Sequence, residues 1–82
     1  MEIRNLQAFV KVAELRSFSR AAEYLGYSQS AVTVQIRQLE EELGQPLLER
    51  IGKQVKVTEA GERFLPRAVD VLDALRAAEE SI

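Results

Sequence analysis

The stretch LGYSQSAVTVQIRQLEEELG, Leu25 to Gly44, decides how the chain is read. Val32, Ile36, Leu39 and Leu43 recur at helical spacing and form one apolar stripe that needs burial. Ser28 stands where an N-cap belongs. Gly44 supplies a left-handed end, and Pro46 prevents continuation. The opposite face is unusual. On a wheel of about 100° per residue it carries Ser30, Val34, Arg37, Gln38 and Glu41, with Gln29 and Thr33 on the flank near the start. Hydroxyls, amides and a β-branched apolar side chain stand where a solvated helix ordinarily shows charge.

The residues upstream tie this helix to another. Phe18, Ala21, Ala22 and Leu25 fall on a single stripe, with Ser17 as the cap and Ser19 as the competing choice. Gly26 ends that helix. Only Gly26-Tyr27-Ser28 connects the two, so they must cross steeply, as in a helix-turn-helix. Ile3, Leu6, Val10 and Ala13, with Phe9 alongside, predict a first helix over about residues 3–15.

Downstream, LLERIGKQVKVT reads as two short strands, Leu47–Arg50 and Gln54–Val57, around the turn Ile51-Gly52-Lys53. Thr58 is a further N-cap, with Glu59 favourable at the helix start. Gly61, Phe64, Ala68, Val71, Leu75, Ala78 and Ile82 then alternate in steps of three and four, a heptad seam. Such a helix would extend about 36 Å, too long to fold back on a small core without exposing an apolar stripe. The competing arrangement packs Phe64, Leu65 and Leu72 back on the domain and leaves only the helix end exposed. Pro66 removes a helical hydrogen bond and is expected to bend the axis.

The totals fit one small globular domain: 82 residues, 46% hydrophobic and 29% charged. The N-terminus MEIRNLQAF lacks the basic and apolar regions of a signal peptide. No apolar run approaches the roughly 20 residues of a membrane span. The chain has no Cys and no His. The usual zinc sets and a His-based triad are therefore excluded. There is no glycine-rich phosphate loop either, so an enzyme, a metal and a cofactor are not expected.

The net charge of −2 speaks against a nucleic-acid partner, but its distribution does not. Residues 1–39 hold five basic residues (Arg4, Lys11, Arg16, Arg20, Arg37) against Glu2, Glu14 and Glu23. Glu40, Glu41, Glu42 and Glu49 follow, and then Arg50, Lys53 and Lys56 restore positive charge. Local field, rather than the total, steers a polyanion at distances near a Debye length.

The outer face of 28–44 has the chemistry for a DNA groove. Gln contacts adenine with two prongs, hydroxyls bond base edges or phosphate, and an apolar side chain meets a thymine methyl. Gln29, Ser30, Thr33 and Val34 are the expected base readers. Ser28 and Arg37 are expected at the backbone or groove, and Arg50 and Lys53 near the hairpin tip would grip phosphate or enter a minor groove. The plain alternatives are that Ser28 only caps, that Arg37 pairs with Glu41, and that the hairpin is a solvated turn.

LQAFVKVAELRSFSRAAEYLGYSQSAVTVQIRQLEEELGQPLLER, followed by VTEAGERFL, resembles the N-terminal DNA-binding domain of LysR-type transcriptional regulators. The resemblance covers essentially the whole chain, with SFSRAAEYL, SQSAVTVQIRQLEEELG, LLER and TEAG in order. It implies a mainly α fold: a winged helix-turn-helix over 1–58, with three helices and a two-stranded wing, then a linker helix over 59–82 that dimerises. It implies bacterial transcription control in the cytoplasm, at the nucleoid, by a homodimer on an interrupted palindrome of double-stranded DNA. A longer protein of this type would add an effector-binding domain, where a small-molecule effector binds, and could form a tetramer. The recognition-helix positions fall on Ser28, Gln29, Ser30, Thr33, Val34 and Arg37, and the wing positions on Arg50 and Lys53. Phe64, Ala68, Val71, Leu72, Leu75, Ala78 and Ile82 become the expected dimer seam. Antiparallel pairing follows from the resemblance only, because the stripe does not decide it. Val34 departs from the family's frequent basic or polar residue, and Ser30 from its frequent Pro. A fragment cut from a longer protein, or else a rare stand-alone domain, is the expectation. The other class of answer is a protein-interaction module that uses the seam, with the helix-turn-helix as scaffold.

Overall fold

The computed structural model describes residues 1–82. Its elements are α1 (Ile3–Leu15), α2 (Phe18–Leu25), α3 (Gln29–Leu43), β1 (Leu48–Ile51), β2 (Gln54–Val57) and α4 (Glu59–Glu80). No helix is long and apolar enough to cross a membrane. The helix ends follow from local chemistry. Ser17 Oγ accepts the Arg20 N–H at 3.1 Å, so Ser17 rather than Ser19 caps α2. Ser28 Oγ accepts the Ala31 N–H at 3.1 Å and starts α3. Bonds of this kind stabilise a helix by about 1 kcal/mol each. Gly26 and Gly44 close α2 and α3 in the left-handed region, at φ 78° and 68°.

α1 packs against α2, α3 and α4, and the stripes of all four helices meet in one core. Phe9, Val12, Val32, Leu39 and Leu47 are its largest fully buried side chains. One polar contact crosses beside it: Asn5, itself buried, donates through Nδ2 to Gln38 Oε1 at 3.4 Å. Gln38, which the wheel places on the outer face, is thereby engaged with α1.

The wing differs from its sequence reading by one residue. β1 begins at Leu48 and includes Ile51, which pairs with Gln54. The turn is therefore Gly52-Lys53 alone. Gly52 has φ 62° and Lys53 does not have a positive φ, the pattern of a type II′ hairpin. Leu47 leaves the strand because its backbone has other partners. Its N–H and that of Leu48 both donate to Glu40 Oε2, at 2.7 and 3.3 Å. Its carbonyl accepts the Thr58 N–H at 3.0 Å. Glu40 is thus the tie between α3 and the wing. Glu40→Ala is expected to lower stability by about 2 kcal/mol in urea unfolding, the loss of charge-assisted bonds. A loss no larger than that of exposed Glu41→Ala would show that the carboxylate holds nothing.

α4 runs unbroken through Pro66 and belongs in its first half to the core. Thr58 Oγ1 accepts the Gly61 N–H at 3.0 Å and donates to the Pro46 carbonyl at 2.6 Å, fixing the helix start to the loop before the wing. Ala68 is 1% exposed. Phe64, Leu65 and Leu72 pack on the core, with the Phe64 ring 5.8 Å from that of Phe9. This corrects the seam. Gly61 lies against Leu47 and Val57, Ala68 is buried in the core and Phe64 packs on Phe9 of α1, so the chain's own body covers that side of α4. Val71 stays 46% exposed, and Ala78 and Ile82 are exposed beyond the end of the body. The core also runs across residue 58, so a boundary there marks order along the chain and not a break in packing.

Candidate nucleic-acid interface

α3 presents Gln29, Ser30, Val34 and Arg37 to solvent, Val34 at 49% exposure. Half-buried Thr33 uses its hydroxyl hydrogen inside the helix, donating to the Gln29 carbonyl at 3.0 Å. Its outward capacity is therefore that of an acceptor. The Ser28 and Ser30 hydroxyls lie 3.2 Å apart and share a hydrogen bond. Ser28 spends one lone pair on its capping bond, so Ser30 is the freer of the two.

The wing brings its cations to the same side. Lys53 sits in the turn, as expected. Arg50 is near the tip in the strand, one residue before the end of β1, but its side chain turns away from it. Its guanidinium lies 3.8 Å over the Phe18 ring, reaching back to the first residue of α2. The ring's negative face attracts the cation and fixes its place. Arg50 there borders two shallow recesses. One is lined by Thr33, Arg37 and Glu40 among others. The second lies between the wing and the starts of α2 and α3, and includes Arg16, Ser17, Ser19, Gln29 and Lys53.

Charge pairing divides the molecule. Every arginine of α4 has a carboxylate partner: Arg63 with Glu59 at 2.6 Å, Arg67 with Asp70 at 4.0 Å, Arg76 with Asp73 at 3.9 Å. Lys11 pairs with Glu14 at 3.1 Å. Arg4, Arg16, Arg20, Arg37, Arg50, Lys53 and Lys56 have no carboxylate within 4.0 Å. The Arg37–Glu41 pair that would make α3 an ordinary surface helix does not form. Four of the unpaired cations, Arg16, Arg37, Arg50 and Lys53, line the two recesses beside α3 and the wing, and gathered there they give a local positive field despite the negative total.

The structure brings together Gln29, Ser30, Thr33, Val34, Ser28, Arg37, Arg50 and Lys53 around α3 and the wing. It adds Arg16, Ser17, Ser19 and Phe18, which the sequence reading assigned only to caps, charge counts and the core. No periodic signal marks them, because they converge through the fold.

A helix-turn-helix with an open, polar second helix beside a cationic hairpin defines the winged helix-turn-helix class. Residues 3–62 match the family described as bacterial regulatory helix-turn-helix protein, lysR family. The chain belongs to that family. It is 50% identical over 80 residues to the HTH-type transcriptional regulator BudR of Raoultella terrigena, covering 98% of this chain and 28% of that one. It is 48% identical over 82 residues to PcaQ of Agrobacterium fabrum, covering 100% of this chain and 26% of the relative. The chain thus spans roughly a quarter of the length of these relatives. Among solved structures, the BenM DBD bound to catB site 1 DNA superposes with a TM-score of 0.92 at 41% identity, over 98% of this chain and 90% of that chain.

Proposed function

We propose that the chain is the part of a LysR-type transcription regulator that binds double-stranded DNA in a sequence-specific manner, as a homodimer on an interrupted palindrome. The observation that carries this reading is the open face of α3, flanked by cations that have no carboxylate partner. The resemblance to a domain solved on DNA supports it. In this reading the chain is not an enzyme and works in the bacterial cytoplasm, at the nucleoid. Effector binding and any tetramer belong to a longer protein. Gln29, Ser30, Thr33 and Val34 read base edges, Val34 against an apolar surface such as a thymine methyl. Ser28, Arg37, Arg50 and Lys53 hold the backbone. A protein-interaction module would leave the unpaired cations without a purpose.

The test begins with duplexes selected from random DNA, bound across a range of salt. Affinity should fall steeply with salt, since each neutralised phosphate contributes a slope of about −0.9. Gln29→Ala should then lose about 1–3 kcal/mol at one base position and relax preference there. Failure of the unmodified chain to bind any duplex at low salt would sink the proposal. Equal loss on every sequence would move Gln29 to the backbone.

A further inference from the structure

Arg16 is the only non-glycine residue of the chain with a positive φ, 53°. It forms the C-cap of α1, where its N–H donates to the Val12 carbonyl at 2.7 Å. Glycine is the usual occupant of such a position, because a Cβ is crowded in the left-handed conformation. Arginine gains nothing there from packing, since its side chain is exposed. It gains nothing from charge pairing either, having no carboxylate within 4.0 Å.

What the position does give is a place in the recess between the wing and the start of α3. Three elements supply cations to that recess: Arg16 from the end of α1, Arg50 from β1, and Lys53 from the hairpin turn. Ser19 adds a hydroxyl, and no carboxylate lines it. Gln29 opens α3 at its rim, so the recess lies beside the face that would enter a groove. A concave, cation-rich surface next to a base-reading helix suits a phosphate oxygen rather than a base edge. A planar guanidinium takes two such oxygens at once.

We infer that Arg16 is a DNA-backbone contact, binding a phosphate in this recess with Lys53 and Ser19, and that the left-handed end of α1 holds it there at a cost in fold stability. The inference rests on the DNA reading above and names a residue of that surface. Stability and binding should therefore move in opposite directions on one substitution. Arg16→Gly should raise the melting temperature by about 4 °C or more, since strain is relieved. The same variant should bind every duplex about fivefold more weakly per protomer near physiological salt, with a salt slope flatter by about one. Arg16→Asn tolerates the conformation and lacks the charge, so it should show the same loss of binding. Arg16→Lys should keep the slope. Unchanged affinity and slope in the Gly and Asn variants, with the unmodified chain binding tightly, would overturn the inference and spare the DNA reading. Loss confined to one base position would also overturn it, by making Arg16 a base reader. A lower melting temperature for Arg16→Gly would refute the claim of strain. An unmodified chain that binds no duplex defeats both readings.

Discussion

Gly61→Ala is expected to lower the melting temperature by about 8–16 °C, although helix propensity alone argues for the opposite sign. Gly61 is the third residue of α4, and alanine in a helix is favoured over glycine by about 1 kcal/mol. The surroundings reverse that preference. A Cβ on Gly61 would drive into the Leu47 carbonyl oxygen and come within 2.7 Å of Val57 Cγ1. The first obstacle is backbone, so no rotamer relieves it. That carbonyl is also bonded to the Thr58 N–H, and Leu47 and Leu48 are bonded to Glu40. Moving Leu47 loosens the wing, α3 and α4 together. Overpacking of this sort costs about 3 kcal/mol, so the net loss after the propensity gain is about 2 kcal/mol or more. Each kcal/mol shifts a domain of this size by about 4–8 °C. Calorimetry on the two chains decides the matter. An equal or higher melting temperature for the variant would mean that Leu47 yields freely and that the junction is loose.

The same glycine shows what the sequence revealed and what it hid. Periodicity exposed the stripes of α1, α2 and α3, and Ser17, Ser28, Thr58, Gly26 and Gly44 marked helix ends, because these signals act over a few residues. Gly61 fell on the three-and-four spacing of α4 and was read as part of a seam. Spacing counts apolar positions but does not say which body covers them. For Gly61, Phe64 and Ala68 the cover is the chain's own core. Glu40 was read as one charge in an acidic run, since the amides it holds lie beyond the turn at Gly44. Arg50 was placed near the wing tip, where its backbone lies, but nothing local reports the aromatic ring 32 positions earlier that draws its guanidinium away. The α3 side chains that face solvent were legible for the converse reason. Their exposure follows from the wheel once the buried stripe is known. Arg16 escaped notice because a left-handed arginine leaves no mark in composition or period.

Leu75→Asp is expected to separate the proposed dimer while the fold survives. Three observations define what remains of the seam. Val71 is 46% exposed, Leu75 is half-buried outside the main core, and Ala78 and Ile82 lie beyond the body that covers Ala68. α4 spans 22 residues, and the chain reaches 45 Å along its longest axis but only 26 and 19 Å along the others. The end of α4 therefore carries apolar side chains on a single helix with little to bury them. The salt bridges on that helix are exposed pairs that contribute little to holding it in place. A second copy related by a two-fold axis would cover the stripe and set two α3 helices at a fixed spacing. A charge at position 75 would lie in that contact without touching the core cluster. The variant should sediment as a monomer and unfold as the unmodified chain does at low concentration. Its affinity for a full palindrome should drop about 100- to 10,000-fold, toward that for a half-site, because the second half-site no longer binds as part of one particle. Two results stand against this account of α4: an unmodified chain that is monomeric where it binds a palindrome tightly, or a variant that binds the palindrome undiminished. In either case the two half-sites would have to be coupled through the DNA or through a contact outside residues 71–82.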